Sequence, residues 1–116
     1  MVKVAVIVKR KAGMDLREFH RYWKDVHGPL VRSVPEFIRH FRKYVQSHAI
    51  DAALSDTPGE AGPYDGIAEL WADSLDEVKK AFAEPRYLEI VRPDEHKFVD
   101  LANCVFMVTE EVAIKS

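Results

Sequence analysis

Apolar and polar residues alternate along four segments of the chain in the manner of β-strands. Residues 2–8 and 105–114 are rich in β-branched and other apolar side chains, and residues 40–48 and 64–72 alternate with a period of two. In the first segment both sets of alternate positions are largely apolar. The pattern predicts four strands, the first of them well buried and apolar on both faces.

Two further segments have the spacing of amphipathic helices. The first follows Asp15, and its apolar positions are Leu16, Phe19, Trp23, Val26 and Leu30. Asp15 and Glu18, three residues apart, have the form of a capping box. We expect this helix to be interrupted at Gly28–Pro29, and Pro35 to stop any continuation.

The second helix is predicted to begin after Ser74, which stands in the same capping relation to Glu77. Its inward residues are predicted to be Leu75, Val78 and Phe82. Pro85 is expected to end it, and residues 86–101 are predicted to form short helical turns.

The predicted order is therefore β-α-β-β-α-β, the split-βαβ or ferredoxin-like arrangement of an α+β protein. A chain of 116 residues has the length of one domain, residues 1–116. Helices would cover one face of the antiparallel sheet, and a homodimer that packs sheet against sheet would cover the other. The polar segment 49–63, with its glycines and prolines, is predicted to be a mobile or functional loop.

Charge and composition narrow the range of partners. The net charge of -2 gives no electrostatic footprint for a nucleic acid or an anionic membrane. No apolar run approaches the length of a membrane helix, and the apolar start, interrupted by Lys3, lacks the form of a signal peptide. A single cysteine, Cys104, excludes an internal disulfide and fits a reducing compartment, so we expect a cytoplasmic protein. The apolar run around Cys104 indicates a buried, inert thiol.

His27 is the strongest candidate for chemistry. An imidazole titrates near neutral pH, which makes it the commonest general acid or base. A helix end at Gly28–Pro29 would free the ring from the hydrogen-bond ladder, and the helix dipole would favour its protonated form. The alternative is that His27 caps a carbonyl group in the turn.

His20 precedes His27 by seven residues on the same predicted helix. It would either reach the same cavity or remain a half-exposed helix residue. Seven residues separate the two rings by about 10 Å of helix rise, and the chain has no HxH or HExxH motif. The sequence therefore predicts no metal site.

Asp65 and Glu69 are four residues apart in a predicted strand, so they share a face with Trp71. If that face meets the helices, both carboxyl groups border an apolar cavity, where burial raises carboxyl pKa values. If it faces a dimer partner, they form ion pairs at the interface. Asp65 also has the position of a turn-forming residue.

The second strand carries further polar candidates. His40 and Tyr44 would orient a phenolic or carbonyl oxygen, and Arg42 would bind a carboxylate. The alternative is a polar sheet face at a wet dimer interface. His96 follows two acidic residues at a predicted helix start, where it would contribute to the site or remain a surface residue.

Several short motifs follow one another in a recognisable order. They are Val8-Lys9-Arg10-Lys11, Phe19…Tyr22-Trp23…His27-Gly28-Pro29-Leu30, Tyr44-Val45-Gln46, Tyr64-Asp65-Gly66-Ile67-Ala68-Glu69-Leu70-Trp71 and Asp94-Glu95…Phe98-Val99-Asp100. In these motifs the chain resembles the EthD-domain family over nearly its whole length. The resemblance implies a dimeric α+β barrel without a prosthetic group. Relatives of that family include muconolactone methylisomerases, polyketide cyclases, cofactor-free monooxygenases and fungal dehydratases or decarboxylases of aromatic polyketide pathways.

We therefore expect a small, cofactor-independent enzyme that acts by acid/base catalysis on an aromatic, polyketide-like or lactone substrate, as an isomerase, dehydratase, cyclase or decarboxylase. The predicted catalytic residues are His27, Asp65 and Tyr44. The predicted substrate-binding residues are His20, Trp23, His40, Arg42, Glu69, Trp71 and His96. No metal or other cofactor is expected. The alternatives are a cofactor-free or haem-degrading monooxygenase and a non-catalytic small-molecule-binding or stress-response module.

Overall fold

The computed structural model describes residues 1–50 and 64–116. Most of the loop predicted at 49–63 therefore lies outside the described residues. The strands are β1 (Val2–Val8), β2 (Lys43–His48), β3 (Gly66–Ala72) and β4 (Val105–Thr109). The helices are α1 (Leu16–Tyr22), α2 (Gly28–Arg32), α3 (Pro35–Ile38), α4 (Leu75–Ala83) and α5 (Arg92–Phe98), with a 3₁₀ turn at Leu101–Asn103.

The four strands form one antiparallel sheet in the order β2-β3-β1-β4. Helices α1 to α3 lie between β1 and β2 in the chain, and α4 and α5 lie between β3 and β4. This arrangement confirms the predicted α+β, ferredoxin-like fold.

Both predicted capping residues begin a helix. The Asp15 carboxylate accepts a hydrogen bond from the backbone N–H of Glu18 at 2.8 Å, ahead of α1. The Ser74 hydroxyl accepts one from the backbone N–H of Glu77 at 3.2 Å, ahead of α4. Each bond satisfies a donor that has no partner within the first helical turn.

The first helix does not break at the His-Gly-Pro motif, so that prediction is wrong. Residues Trp23–His27 form a π turn between α1 and α2, in which the N–H of Gly28 bonds to the carbonyl of Trp23, five residues earlier. Pro29 lacks an N–H and would crowd the carbonyl four residues before it in a regular helix. The π turn changes the bonding pattern just before Pro29, and the helix continues.

The π turn also changes which residues face inward. His27 and Val31 are buried, four residues apart, whereas Val26 is 40% exposed. The predicted inward position of Val26 is therefore wrong, because the wider turn rotates the following residues. A second π turn, Tyr87–Val91, leads into α5, where the N–H of Arg92 bonds to the carbonyl of Tyr87.

The predicted start of the second strand differs from the structure. β2 begins at Lys43 rather than His40, since the N–H groups of His40 and Phe41 bond back to the carbonyl groups of Phe37 and Ile38 at the end of α3.

As predicted, the preceding helix does not continue through Pro35: α2 ends at Arg32. Pro35 begins the separate short helix α3, because the first helical position needs no N–H donor.

The last strand is shorter than predicted. β4 ends at Thr109, which pairs with Lys3, and only Val2 of β1 lies beyond that pair. Residues 110–114 therefore have almost no neighbouring strand to bond. In α4, Leu75 is also more exposed than predicted, while Val78 is buried.

The sheet has one face against the helices and one open face in the described chain. The helix side carries the even-numbered residues of β1 and β3, including Val4 and Leu70, which belong to the core. The open face carries Lys3, Ala5, Ile7, Lys43, Val45, Ser47, Ile67, Glu69, Trp71, Val105, Met107 and Thr109. The prediction that helices cover one face of the sheet is confirmed.

Candidate active site

A cavity of about 90 Å³ lies between the helix side of the sheet and the helical segments that contain the two π turns, Trp23–His27 and Tyr87–Val91. Its walls are mostly apolar, with Val6, Ala68 and Leu70 from the sheet and aromatic rings from the helices. Four side chains with ionisable groups that suit proton transfer or hydrogen bonding to a ligand stand among these walls: His27, Tyr44, Tyr87 and Glu95.

His27 belongs to a buried hydrogen-bonded cluster at the cavity wall. Its Nδ1 lies 2.8 Å from Oδ2 of Asp94, and both side chains are less than a tenth exposed. The hydroxyl of Tyr22 donates to the other carboxylate oxygen of Asp94 at 2.6 Å. Since a carboxylate accepts at both oxygens, the proton of the neutral His27 ring lies on Nδ1.

The cluster leaves one nitrogen of His27 free. Nε2 has no hydrogen-bond partner among the described residues, and the ring lines the cavity. Burial, followed by the bond to Asp94, raises the pKa of Tyr22 to about 12. Tyr22 therefore stays a donor at neutral pH and holds the carboxylate towards His27. The arrangement is a general acid or base with an orienting partner.

Glu95 and Tyr87 form a second polar group in the cavity. The Tyr87 hydroxyl donates to the Glu95 carboxylate at 2.7 Å, and Arg92 donates to the Tyr87 oxygen at 3.1 and 3.0 Å. Burial raises the pKa of Glu95, against the lowering effects of Tyr87 and Arg92. Burial and the adjacent carboxylate also raise the pKa of Tyr87. Protonation of Glu95 is therefore shifted towards neutral pH.

Tyr44 lines the cavity from β2. The amide nitrogen of Gln46 donates to its oxygen at 3.0 Å and to the backbone carbonyl of Trp23 at 2.9 Å. Burial raises the pKa of Tyr44, so the phenol keeps its proton at neutral pH. Trp23 also lines the cavity, and its ring stacks on His48 with 4.5 Å between ring centroids.

Asp65 and His20 lie next to each other, away from the walls of this cavity. The Asp65 carboxylate accepts a hydrogen bond from the backbone N–H of Arg10 at 2.7 Å. The backbone carbonyl oxygen of Asp65 lies 2.9 Å from Nε2 of His20. His20 also packs against His48, with 4.6 Å between ring centroids. The carboxylate of Asp65 thus joins the residue before β3 to the segment that follows β1.

Two other predicted residues lie on the open face of the sheet. Glu69 forms an ion pair with Lys3 at 2.7 Å, and the Trp71 indole N–H donates to Glu111 at 2.6 Å. This face therefore points away from the helices, which contradicts the first of the two alternatives.

The remaining predicted residues stand apart from the cavity. His40 lies 2.7 Å from a carboxylate oxygen of Glu77, Arg42 is paired with Asp73, and His96 is exposed on α5. Of the ten predicted site residues, the cavity brings together His27, Tyr44 and Trp23.

Sequence reasoning missed four residues of the site: Tyr22, Gln46, Tyr87 and Glu95. It also treated Asp94 as one of two helix-start acids. Asp94 is separated from His27 by 67 residues, so no local spacing pointed to their contact.

Among the residues that the structure describes, no three His, Cys, Asp or Glu side chains come together in a way that could hold a metal ion. In the same residues no helix is long and apolar enough to cross a membrane. Cys104 is partly buried, and burial raises the pKa of its thiol, which favours the inert form that the sequence predicts.

The EthD domain model matches residues 11–102 of the chain. The chain belongs to the EthD domain family. The resemblance in the motifs is thereby confirmed, and this EthD-domain protein has His27, Asp94 and Glu95 within the matched region.

Individual relatives agree with this assignment. The EthD-domain chain is 27% identical over 106 residues to the dehydratase ustZ of Ustilaginoidea virens, covering 85% of this chain and 75% of that protein. An EthD family protein of Bacillus halodurans has a TM-score of 0.71 at 19% identity, with 97% of this chain and 99% of that chain covered. A dimeric ferredoxin-like protein of Bacteroides fragilis has a TM-score of 0.66 at 17% identity, with 95% of each chain covered. The two structural likenesses support the fold.

Proposed function

We propose that this EthD-domain protein is a cofactor-independent acid/base enzyme of the dehydratase type, with His27 as the proton-transferring residue. The observation that carries the proposal is the bond of 2.8 Å between His27 Nδ1 and Asp94, at the wall of an apolar cavity. The 27% identity to a dehydratase over most of the chain supports this reaction type.

The neutral His27 ring removes a proton from the carbon next to a carbonyl group of the substrate. The electron pair moves onto the carbonyl oxygen, and Asp94 stabilises the imidazolium that forms. The enolate then re-forms the carbonyl and expels a hydroxyl group from the neighbouring carbon. That hydroxyl takes the proton from His27 and leaves as water, so one water is lost and the enzyme returns to its first state.

Glu95 is the second group in the cavity wall to which the proposal gives a role. Burial raises its pKa, and in its protonated form the Glu95 carboxyl group donates a hydrogen bond to the hydroxyl group that takes the proton from His27 and leaves. Its bond to Tyr87 fixes its position.

The substrate proposed is flat and largely apolar, with an aromatic or lactone-like ring and a carbonyl group. Trp23 and Phe98 supply ring surfaces to the cavity, and Val6, Leu70 and Val91 supply aliphatic ones. An apolar pocket with a few polar groups is typical of a small-molecule site. Trp23 therefore stays in the proposed binding set and Tyr44 in the catalytic set.

The proposal also includes a homodimer through the open face of the sheet. Ile67 and Met107 are 38% and 42% exposed on that face, and burying apolar surface stabilises such contacts. The similar protein of Bacteroides fragilis is described as dimeric. Light scattering should give the mass of two chains for the wild type and of one chain for Ile67→Glu. A wild type that is monomeric at high concentration would contradict this part.

The reaction is tested with a panel of aromatic β-hydroxy carbonyl compounds, and loss of water is followed by mass spectrometry. Wild-type protein should dehydrate at least one member of the panel, and His27→Gln should not. His40→Gln is the matched control, since His40 is also bonded to a carboxylate but lies away from the cavity. Dehydration by His27→Gln at the wild-type rate would contradict the proposal, as would turnover that consumes oxygen or requires added haemin.

A further inference from the structure

A short row of hydrogen bonds joins Tyr44 to its neighbours on β2 through Gln46. The amide nitrogen of Gln46 is 3.0 Å from the Tyr44 oxygen and 2.9 Å from the carbonyl oxygen of Trp23. The amide oxygen of Gln46 is 2.9 Å from Nε2 of His48. All three side chains of β2 point to the helix side of the sheet, since they are alternate residues of one strand.

The chemistry of these groups fixes the direction of each bond. A backbone carbonyl can only accept, so the amide group of Gln46 must present its NH₂ to Trp23. The same NH₂ group faces the Tyr44 oxygen, which therefore accepts. The amide oxygen of Gln46 is left to accept from His48, whose Nε2 carries a proton.

Gly28 gives this amide the room that it occupies. A Cβ atom on Gly28 would lie 3.1 Å from Nε2 of Gln46 and 3.3 Å from the carbonyl oxygen of Trp23. The glycine of the His-Gly-Pro motif thus allows the Gln46 side chain to approach the π turn closely.

Tyr44 accepts one bond from Gln46 and has its own proton left to donate. Among the described residues, no group accepts that proton, while the Tyr44 side chain lines the cavity. We propose that Tyr44 donates its hydroxyl proton to an acceptor oxygen of the bound substrate, and that Gln46 is the positioning residue that imposes this direction.

This inference rests on the proposed function and narrows its substrate class. The oxygen that Tyr44 contacts is the carbonyl oxygen, which becomes the enolate when His27 removes the neighbouring proton. A donor that is fixed before the charge develops stabilises the enolate more than the ketone. Substrates therefore place a carbonyl oxygen at Tyr44 and an acidic C–H bond at His27.

The electrostatic setting supports this direction. Burial raises the pKa of Tyr44 against the opposing effect of the bond from Gln46, so the phenol keeps the proton that it donates. Burial and the nearby His20 lower the pKa of His48. His48 thus remains a neutral partner of Gln46.

The first test uses acetophenone, a small aromatic ketone, as the probe. Infrared spectroscopy should show a lower carbonyl stretching frequency for acetophenone bound to the wild type than to Tyr44→Phe, and binding to Tyr44→Phe should be about tenfold weaker. Gln46→Glu should also lose the frequency shift, because the Tyr44 hydroxyl would donate its hydrogen bond to the new carboxylate and not to the acetophenone carbonyl. Ser47→Ala, on the open face of the same strand, should keep it.

Equal carbonyl frequencies in the wild type and Tyr44→Phe, or no detectable binding to the wild type, would overturn the inference. A second measurement needs no ligand. NMR titration of the Tyr44 ring should show a higher pKa in Gln46→Met than in the wild type, because the bond donated by Gln46 is lost. An unchanged pKa would overturn the role of Gln46.

The outcomes separate this inference from the proposed function. The carbonyl frequency reports on Tyr44 without any turnover, whereas loss of water reports on His27. A frequency shift in a protein whose His27→Gln variant dehydrates normally would refute the proposed function alone. Dehydration that depends on His27, with no frequency shift, would refute the role of Tyr44 alone.

Discussion

Two histidine–carboxylate pairs among the described residues have nearly the same geometry and different surroundings. His27 Nδ1 lies 2.8 Å from Asp94, and His40 Nδ1 lies 2.7 Å from Glu77. Both histidine side chains are less than a tenth exposed. His27 lines the cavity, whereas Nε2 of His40 is buried without a hydrogen-bond partner among the described residues.

The carboxylates differ as well. The Asp94 side chain is 7% exposed and is held at its other oxygen by Tyr22. Glu77 is 35% exposed and has Lys80 nearby at 3.9 Å. A histidine–carboxylate pair is therefore suited to proton transfer only where the second ring nitrogen reaches a space that a reactant can enter.

The largest difference in kcat is expected when each histidine is replaced separately by glutamine. His27→Gln should lower kcat by about a thousandfold, because the variant lacks the proton-transferring group. His40→Gln should keep kcat within about threefold of the wild type. Steady-state kinetics measures kcat of both variants on a compound that the wild type dehydrates. A similar decrease of kcat in the two variants would remove the distinction between the pairs.

Replacing the carboxylate of each pair should also lower kcat only for the pair at the cavity, and by less than replacing His27. Asp94→Asn should lower kcat by about a hundredfold, because an amide stabilises the imidazolium poorly and allows the wrong tautomer. Glu77→Gln is its control and should leave kcat unchanged. An Asp94→Asn variant with normal kcat would show that His27 does not depend on its partner.

A still smaller effect is expected at Tyr22, which touches Asp94 but not the cavity wall. Tyr22→Phe removes a bond of 2.6 Å to a charged group and should lower kcat by about tenfold with little change in KM. Kinetics that instead show an increase in KM alone would place Tyr22 at the substrate.

The smallest expected effect is the contribution of Glu95 to the pH dependence of the free energy of unfolding. Because burial raises its pKa above the ordinary 4.5, the ionised form destabilises the native protein at neutral pH. As the pH falls through the raised pKa, the native protein takes up the proton before the unfolded chain does and gains stability, until the pH passes below about 4.5.

The Glu95→Gln variant carries an amide at this position, which does not titrate in this way. Its free energy of unfolding relative to the wild type should therefore be highest near neutral pH and decline towards pH 4. Chemical denaturation across this range measures the difference. A difference that rises as the pH falls would mean that the pKa of Glu95 is lowered in the native protein.

Local patterns in the sequence predicted much of the fold. The caps at Asp15 and Ser74 and the order of strands and helices depend on neighbouring residues, and the structure agrees with them. The π turn at Trp23–His27 could not be predicted in the same way, because Gly28–Pro29 is also a common signal for a helix end.

The site was harder to predict than the fold. His27 was singled out by its motif, but its contact with Asp94 spans 67 residues and exists only in the folded chain. The two faces of β3 could be told apart by its alternation, yet alternation does not say which face meets the helices. Asp65 and Glu69 were therefore candidates until the sheet showed them away from the cavity.

The most direct test of the account follows the methyl protons of acetophenone in D₂O by NMR. These protons lie next to the carbonyl group, and their exchange requires the same proton removal that His27 is proposed to perform. Wild type and His40→Gln should accelerate the exchange to a similar extent, and His27→Gln should leave it at the rate of buffer alone. Exchange that is no faster with wild type than with buffer, or equally fast with His27→Gln, would contradict the central claim.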